Sequence, residues 1–148
     1  MIFLCGLNGV EDFDAIKTFT AAIKGTKTIL ALYQADNETR QSLKECKLFY
    51  KDMYYADWDL AIHTLKLNGF TDQNLNLNDS IPHSNQLAGY VGACVAYSFL
   101  YGVKPDSVTT ANYMLEHFGL LIPGTTNEEK MNRLKQIEQT ALDVVQIQ

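Results

Sequence analysis

Between Ser84 and Val103 the chain carries no charged side chain, and no other feature restricts its fold as strongly. The apolar stretch inside that segment, Leu87 to Val103, has 17 residues, at the lower limit for crossing a bilayer. It also holds Gly89, Gly92, Gly102, Ser98 and three tyrosines, a composition better suited to packing in a protein interior. The segment therefore reads as a helix at the centre of a bundle, apolar all round because neighbours surround it. Ala88, Gly92 and Ala96 fall on one side of that helix and allow another helix to approach closely.

The flanking sequence supports a helical setting. Apolar residues recur at steps of three, four and seven through most of the chain, and period-two alternation is nearly absent, so an all-α bundle of about five helices is expected. At 148 residues, one domain spanning the whole chain is the default. A first helix is expected after Asn8-Gly9, with Phe13, Ile16, Phe19, Ile23, Leu30 and Tyr33 recurring at helical steps; the β-branched run near Thr26 to Tyr33 leaves a break or a short strand open there, as the apolar start leaves one open over residues 1–7. A second helical region opens at Asp36 or Asn37 and ends at Asn68-Gly69, as one helix or as two with a kink near Tyr55 to Asp57. It carries two apolar stripes, one through Cys46, Phe49, Met53, Ala56, Leu60 and Leu67, the other through Leu43, Tyr50, Tyr54, Trp58, Ala61 and Leu65.

Residues 71–85, crowded with Asn, Asp and Ser around Pro82, read as the longest loop. A helix is expected after Pro105 with Val108, Ala111, Met114, Leu115 and Phe118 inward and Gly119 closing it. The linker Leu120-Leu-Ile-Pro-Gly-Thr is apolar enough that it should pack down or touch a partner. Thr126 and Glu129 form a capping-box pattern at the start of a last helix whose inner face is Met131, Leu134, Ile137, Ala141 and Val144 or Val145.

Charge narrows the function. The chain has 17 acidic and 12 basic residues, a net −5, and residues 52–129 alone hold nine acids against Lys66 and Lys104. No basic stripe offers itself to a phosphate backbone or an anionic membrane, so neither is an expected partner. The acidic middle could instead steer a basic protein. The N-terminus, Met1 to Gly6, lacks the basic leader and the long apolar core of a secretory signal, which predicts a protein made and kept in the cytoplasm. Cys5, Cys46 and Cys94 are odd in number and widely spaced, implying reduced thiols without a disulfide framework or a zinc site.

Motifs for chemistry are sparse. Asp59 and His63, four apart on one helical face with Asp57 nearby, could ligate a metal or act as an acid–base pair, with His83, His117 and Glu116 as the remaining ligands elsewhere. His63 equally falls between Leu60 and Leu67 on the apolar stripe, where it would be a core or rim histidine. The run Asp72, Asn74, Asn76, Asn78 imitates the opening of a calcium loop but has Leu77 and His83 where glycine and a bidentate glutamate are required. Phosphate-cradling, dinucleotide and nucleophile-elbow signatures are missing.

The sharpest feature is aromatic. At 100° per residue Tyr90, Tyr97 and Tyr101 lie within about 40° of each other with Cys94 beside them, and Tyr50, Tyr54, Tyr55 and Trp58 make a second cluster. Such rings favour sites half dry and half wet, or an ordinary core with satisfied hydroxyls. The sequence thus points to a small acidic protein acting by protein–protein binding, of inhibitor, immunity, adaptor or chaperone type, with Tyr54, Trp58, Tyr90, Tyr97 and Tyr101 as anchors. Its partner would be another protein, basic in charge, or a second copy of the chain; no cofactor is called for. The competing expectation is a small-molecule-binding or metal-dependent helical enzyme that uses Asp59 and His63 with a tyrosine hydroxyl.

Overall fold

A computed structural model describes residues 2–5, 28–31, 53–76, 84–106 and 108–147, with side chains from residue 56 to 146 within those spans. The chain divides into two units, Met1–Asp59 and Leu60–Gln148.

In the first unit, β1 (Ile2–Cys5), β2 (Thr28–Ala31) and β3 (Met53–Ala56) form a parallel sheet in the order β1-β2-β3. Ile2 faces Thr28 and Thr28 faces Met53, so the three strands start level. Their sequences, IFLC, TILA and MYYA, are the continuous apolar runs that parallel sheets use. β1 and β2 fall where the sequence leaves strands open, and β2 corrects the helical reading of Leu30. β3 corrects the helical reading of Met53, Tyr54 and Ala56: four apolar residues satisfy a helical stripe and a strand alike, and length is what separates them. The helix expected after Asn8-Gly9 and the stretch from Asp36 to Asp52 lie outside the described residues.

From Trp58 onward the all-α bundle is present. Among the described residues it comprises α1 (Trp58–Leu67), α2 (Asp72–Leu75), α3 (Gln86–Tyr101), α4 (Val108–Phe118) and α5 (Asn127–Ile147). α3 is the apolar helix at which three of the others meet: it packs chiefly on α5 and also touches α2 and α4. Leu87, Val91 and Val95 from α3 and Leu134 and Ile137 from α5 are fully buried between them. Each such side chain stabilises the fold by roughly 1.5–3 kcal/mol relative to exposure. The far side of α3 is not covered, in contrast to the expectation of a helix enclosed all round: Gln86, Gly89, Ala93, Tyr97 and Leu100 are exposed. Its apolarity is wider than its buried face, and that surplus becomes surface.

Both ends of α3 are fixed by hydrogen bonds. The buried Asn85 side chain accepts from the amides of Leu87 at 3.0 Å and Ala88 at 3.1 Å. Its Nδ2 donates to the carbonyls of Asn74 at 2.7 Å and Asn76 at 3.3 Å. One amide group thus closes the helix start and ties it to α2. At the other end Gly102 takes φ 71°, a left-handed position suited to glycine, and its amide donates to the Ser98 carbonyl at 2.8 Å.

The remaining elements follow local rules. In the stretch read as a loop, Thr71 and Asn74 cap a single helical turn: Asn74 Oδ1 accepts from the Thr71 amide at 2.9 Å and its hydroxyl at 2.8 Å. Asn74 Nδ2 donates to the Leu121 carbonyl, Asn76 bonds Asp72, and Lys66 pairs with Asp72, so three of the residues that imitate a calcium loop, Asp72, Asn74 and Asn76, are engaged in turn chemistry, while Asn78 lies outside the described residues. The capping box of the last helix is formed: the Glu129 amide donates to Thr126 Oγ1 at 3.2 Å, while Glu129 Oε2 accepts from the amides of Thr125 and Thr126. These bonds, the Thr125 amide foremost, hold the Glu129 carboxyl below the ordinary range. Gly119 follows α4 as expected, where a Cβ would run into the Leu115 carbonyl oxygen. In the apolar linker Ile122 packs down while Leu120 is 98% exposed. Arg133 of α5 reaches back to the end of α1, donating to the Asn68 carbonyl at 3.1 Å with its guanidinium carbon 5.6 Å from the Phe70 ring centre.

Candidate interaction site on the central helix

The tyrosine face of α3 divides along its length. Tyr90 turns inward: it is 9% exposed and its hydroxyl donates to Glu138 Oε1 of α5 at 2.8 Å, where Glu138 is itself buried. Cys94, one turn further, is buried beside it. Burial is the main cause that raises the Tyr90 hydroxyl well above the ordinary phenol range, with the neighbouring Cys94 and Glu138 adding to it. Burial likewise pushes the Cys94 thiol up to about 12, partly offset by its bond with the Tyr90 hydroxyl. At neutral pH both the Cys94 thiol and the Tyr90 hydroxyl keep their protons.

Tyr97 and Tyr101 turn outward. They are 41% and 67% exposed, and their rings stack at 4.6 Å with a 42° tilt. Leu100, Val103 and Val108 are exposed as well, so large apolar side chains stand at the surface on both sides of the Lys104-Pro105-Asp106 connection, in the last turn of α3 and the first turn of α4. Val108 was expected inward and is the exception on its helix; Ala111 and Met114 are buried as expected. A residue in the first turn has no preceding turn beneath it, so helical phase alone does not ensure cover.

A cleft of about 280 Å³ lies between the two halves of this face. Tyr90, Ala93, Cys94 and Tyr97 line it from α3, and Pro105, Asp106 and Thr110 close it from the connection and α4. Its lining is mostly apolar with Asp106 as the one charged member, and no basic residue belongs to it. Tyr113, three residues beyond Thr110, is 54% exposed and stacks on His117 at 4.3 Å.

Tyr101, expected on the same face, does not line this cleft. Trp58 is half-buried at the start of α1, and the side chain of Tyr54, in β3, lies outside those described. His63 is exposed on α1, away from the buried face of Ala61, Ile62 and Leu65, which corrects its placement in the core or at its rim. Leu67, on the same expected stripe, is 75% exposed. Among the described residues no group of three or more His, Cys, Asp or Glu is placed to hold a metal ion, and no helix is long and apolar enough to cross a membrane. His83 lies outside the described residues.

Glu138 is the residue that sequence reasoning passed over. It sits four after Leu134 and three before Ala141, on the apolar stripe of α5, and an acid at such a position signals a buried partner. Tyr113 was missed because it faces away from the α4 core, where a lone aromatic carries no periodic signal.

No protein-family model, curated protein or solved structure matches the chain.

Proposed function

We propose that this chain acts by binding another protein through the surface formed by the end of α3 and the start of α4. The observation that carries the reading is the exposed apolar run Tyr97, Leu100, Tyr101, Val103 and Val108. Large apolar side chains scattered singly are ordinary on any surface, whereas a contiguous aromatic and aliphatic patch favours a partner. Tyrosines with one dry face and a wet hydroxyl are the side chains that most often anchor such contacts. The acidic balance of residues 52–129 supports a basic partner, met through electrostatic steering in the cytoplasm. The binding role is that of an inhibitor, adaptor or chaperone rather than of a catalyst.

The test compares capture from the native host by the unaltered chain, by Tyr101→Asp and Val108→Asp, and by Leu67→Asp, which alters an exposed leucine away from the patch. The expected result is a defined set of captured proteins that is lost in the two patch variants, kept in the Leu67 variant and weakened by salt. Equal capture by all four chains overturns the reading, as does capture that requires His63 and releases a chemically altered small molecule. Sedimentation of the same variants tells whether the partner is a second copy of the chain: the patch variants would then become monomeric.

A further inference from the structure

The cleft itself has a chemistry more specific than the patch around it. Its volume falls just under the roughly 300–1,000 Å³ usual for small-molecule sites, which suits one side chain better than a whole ligand. Its interior offers the apolar surfaces of Ala93, Cys94 and Pro105, its walls are the rings of Tyr90 and Tyr97, and its charged member is the exposed carboxylate of Asp106. Behind the Tyr90 ring stands the buried carboxylate of Glu138, bound to the Tyr90 hydroxyl. Lys104, the base nearest in sequence, is exposed and does not line the cleft.

An apolar throat with aromatic walls and a negative charge but no positive one is complementary to a particular kind of group. Arginine and lysine carry an apolar stem and a cationic head, and bury the stem while the head stays near water. The tyrosine ring faces attract a cation, arginine more often than lysine, and a carboxylate adds a charge-assisted hydrogen bond.

We infer that the cleft between α3 and α4 receives one basic side chain of the partner protein, an arginine or lysine, with its stem against Ala93, Cys94 and Pro105, its head between the Tyr97 ring and the Asp106 carboxylate. This rests on the protein-binding reading above and gives it a specificity: the anchoring residue of the partner is cationic. The patch of Leu100, Tyr101, Val103 and Val108 then supplies area around it, as a dry ring around a central anchor.

The experiment titrates the full chain with N-acetylarginine amide, N-acetyllysine amide and the apolar N-acetylnorleucine amide, following backbone amide shifts by NMR. Saturable shifts are expected at Ala93, Tyr97, Asp106 and Thr110 with the two cationic probes, and norleucine should bind about fivefold more weakly or not at all. Asp106→Asn and Tyr97→Leu are each expected to weaken the arginine probe by about two- to fivefold, Tyr97→Leu retaining an apolar wall while removing the ring. Both positions are exposed, so neither change should disturb folding. Equal binding of norleucine, shifts elsewhere than the cleft, or arginine binding unchanged in both variants would overturn the inference. Loss of captured proteins in Tyr101→Asp with no cationic probe in the cleft defeats this inference and leaves the protein-binding reading standing; probe binding with capture unaltered by Tyr101→Asp overturns the patch as the protein-binding surface, and with it the assignment of the cleft to a partner's side chain.

Discussion

The two ends of α3 share one sequence character and have opposite fates. At its N-terminal end Asn85 satisfies two amides and two carbonyls, Leu87 and Val91 are fully buried, and the Tyr90 hydroxyl donates a hydrogen bond to Glu138. At its C-terminal end Tyr97, Leu100 and Tyr101 face water, and the chain turns away through Gly102. Tyr90 and Tyr101 lie within about 20° of each other around the axis but about 16 Å apart along it. The face is the same and the cover differs. Stability is concentrated where neighbouring helices extend over the face, and the capacity to meet a partner where they do not.

That contrast can be broken by mutation, most strongly from the core side. Leu134→Ala, at a fully buried position against the covered half of α3, is expected to destabilise the protein by about 2–5 kcal/mol in denaturant titrations. A loss under 1 kcal/mol would mean that the covered end is loosely packed. Asn85→Ala should follow at about 2 kcal/mol, because it removes the helix cap and takes the Asn85 donor from the part-buried carbonyls of Asn74 and Asn76. Tyr90→Phe deletes only a hydroxyl, and about 1–3 kcal/mol is expected because the buried Glu138 carboxylate loses its donor. The double variant with Glu138→Leu should recover part of that loss, since both polar groups then go together.

The open end should give the smallest effect on stability. Tyr101→Ser is expected to stay within about 0.5 kcal/mol of the unaltered chain, while abolishing capture of the partner. A large loss of stability there would show Tyr101 to be a structural ring and erase the contrast. A pH series sharpens the same comparison. Cys94 in the folded protein titrates at about 12 against an ordinary value near 8.5–9, so its contribution to stability is complete below about pH 8.5 and is lost as pH rises toward 12. Melting temperature should therefore hold from neutral to mildly alkaline pH and then fall. Alkylation of Cys94 at pH 8, read by peptide mass mapping, should be slow until the protein is unfolded.

Much of the bundle could be read from local pattern. The lack of charge from Ser84 to Val103 located α3, Thr126 and Glu129 marked the start of α5 to the residue, and Gly119 marked the end of α4, because each of these signals depends on chain neighbours. Features that depend on distant segments were harder to read. Met53 to Ala56 pair with β2 as a strand, and no local period distinguishes four apolar residues of a strand from a helical turn. The Tyr90–Glu138 bond joins positions 48 residues apart, and only the acid on the α5 stripe hinted at it. For the candidate site, helical phase puts Tyr90, Cys94, Tyr97 and Tyr101 on one face, and the first three line one cleft, yet phase reports an angle around an axis and not how far along it the neighbours reach. That is why Tyr90 and Tyr101 were grouped as equals.

The most direct test of this division is a tyrosine accessibility measurement on the assigned protein, using photo-excited flavin to polarise the ring protons that solvent can reach. The account expects strong enhancement at Tyr101 and Tyr97 and none at Tyr90. Enhancement at Tyr90, or silence at Tyr97 and Tyr101 in the free chain, would contradict it.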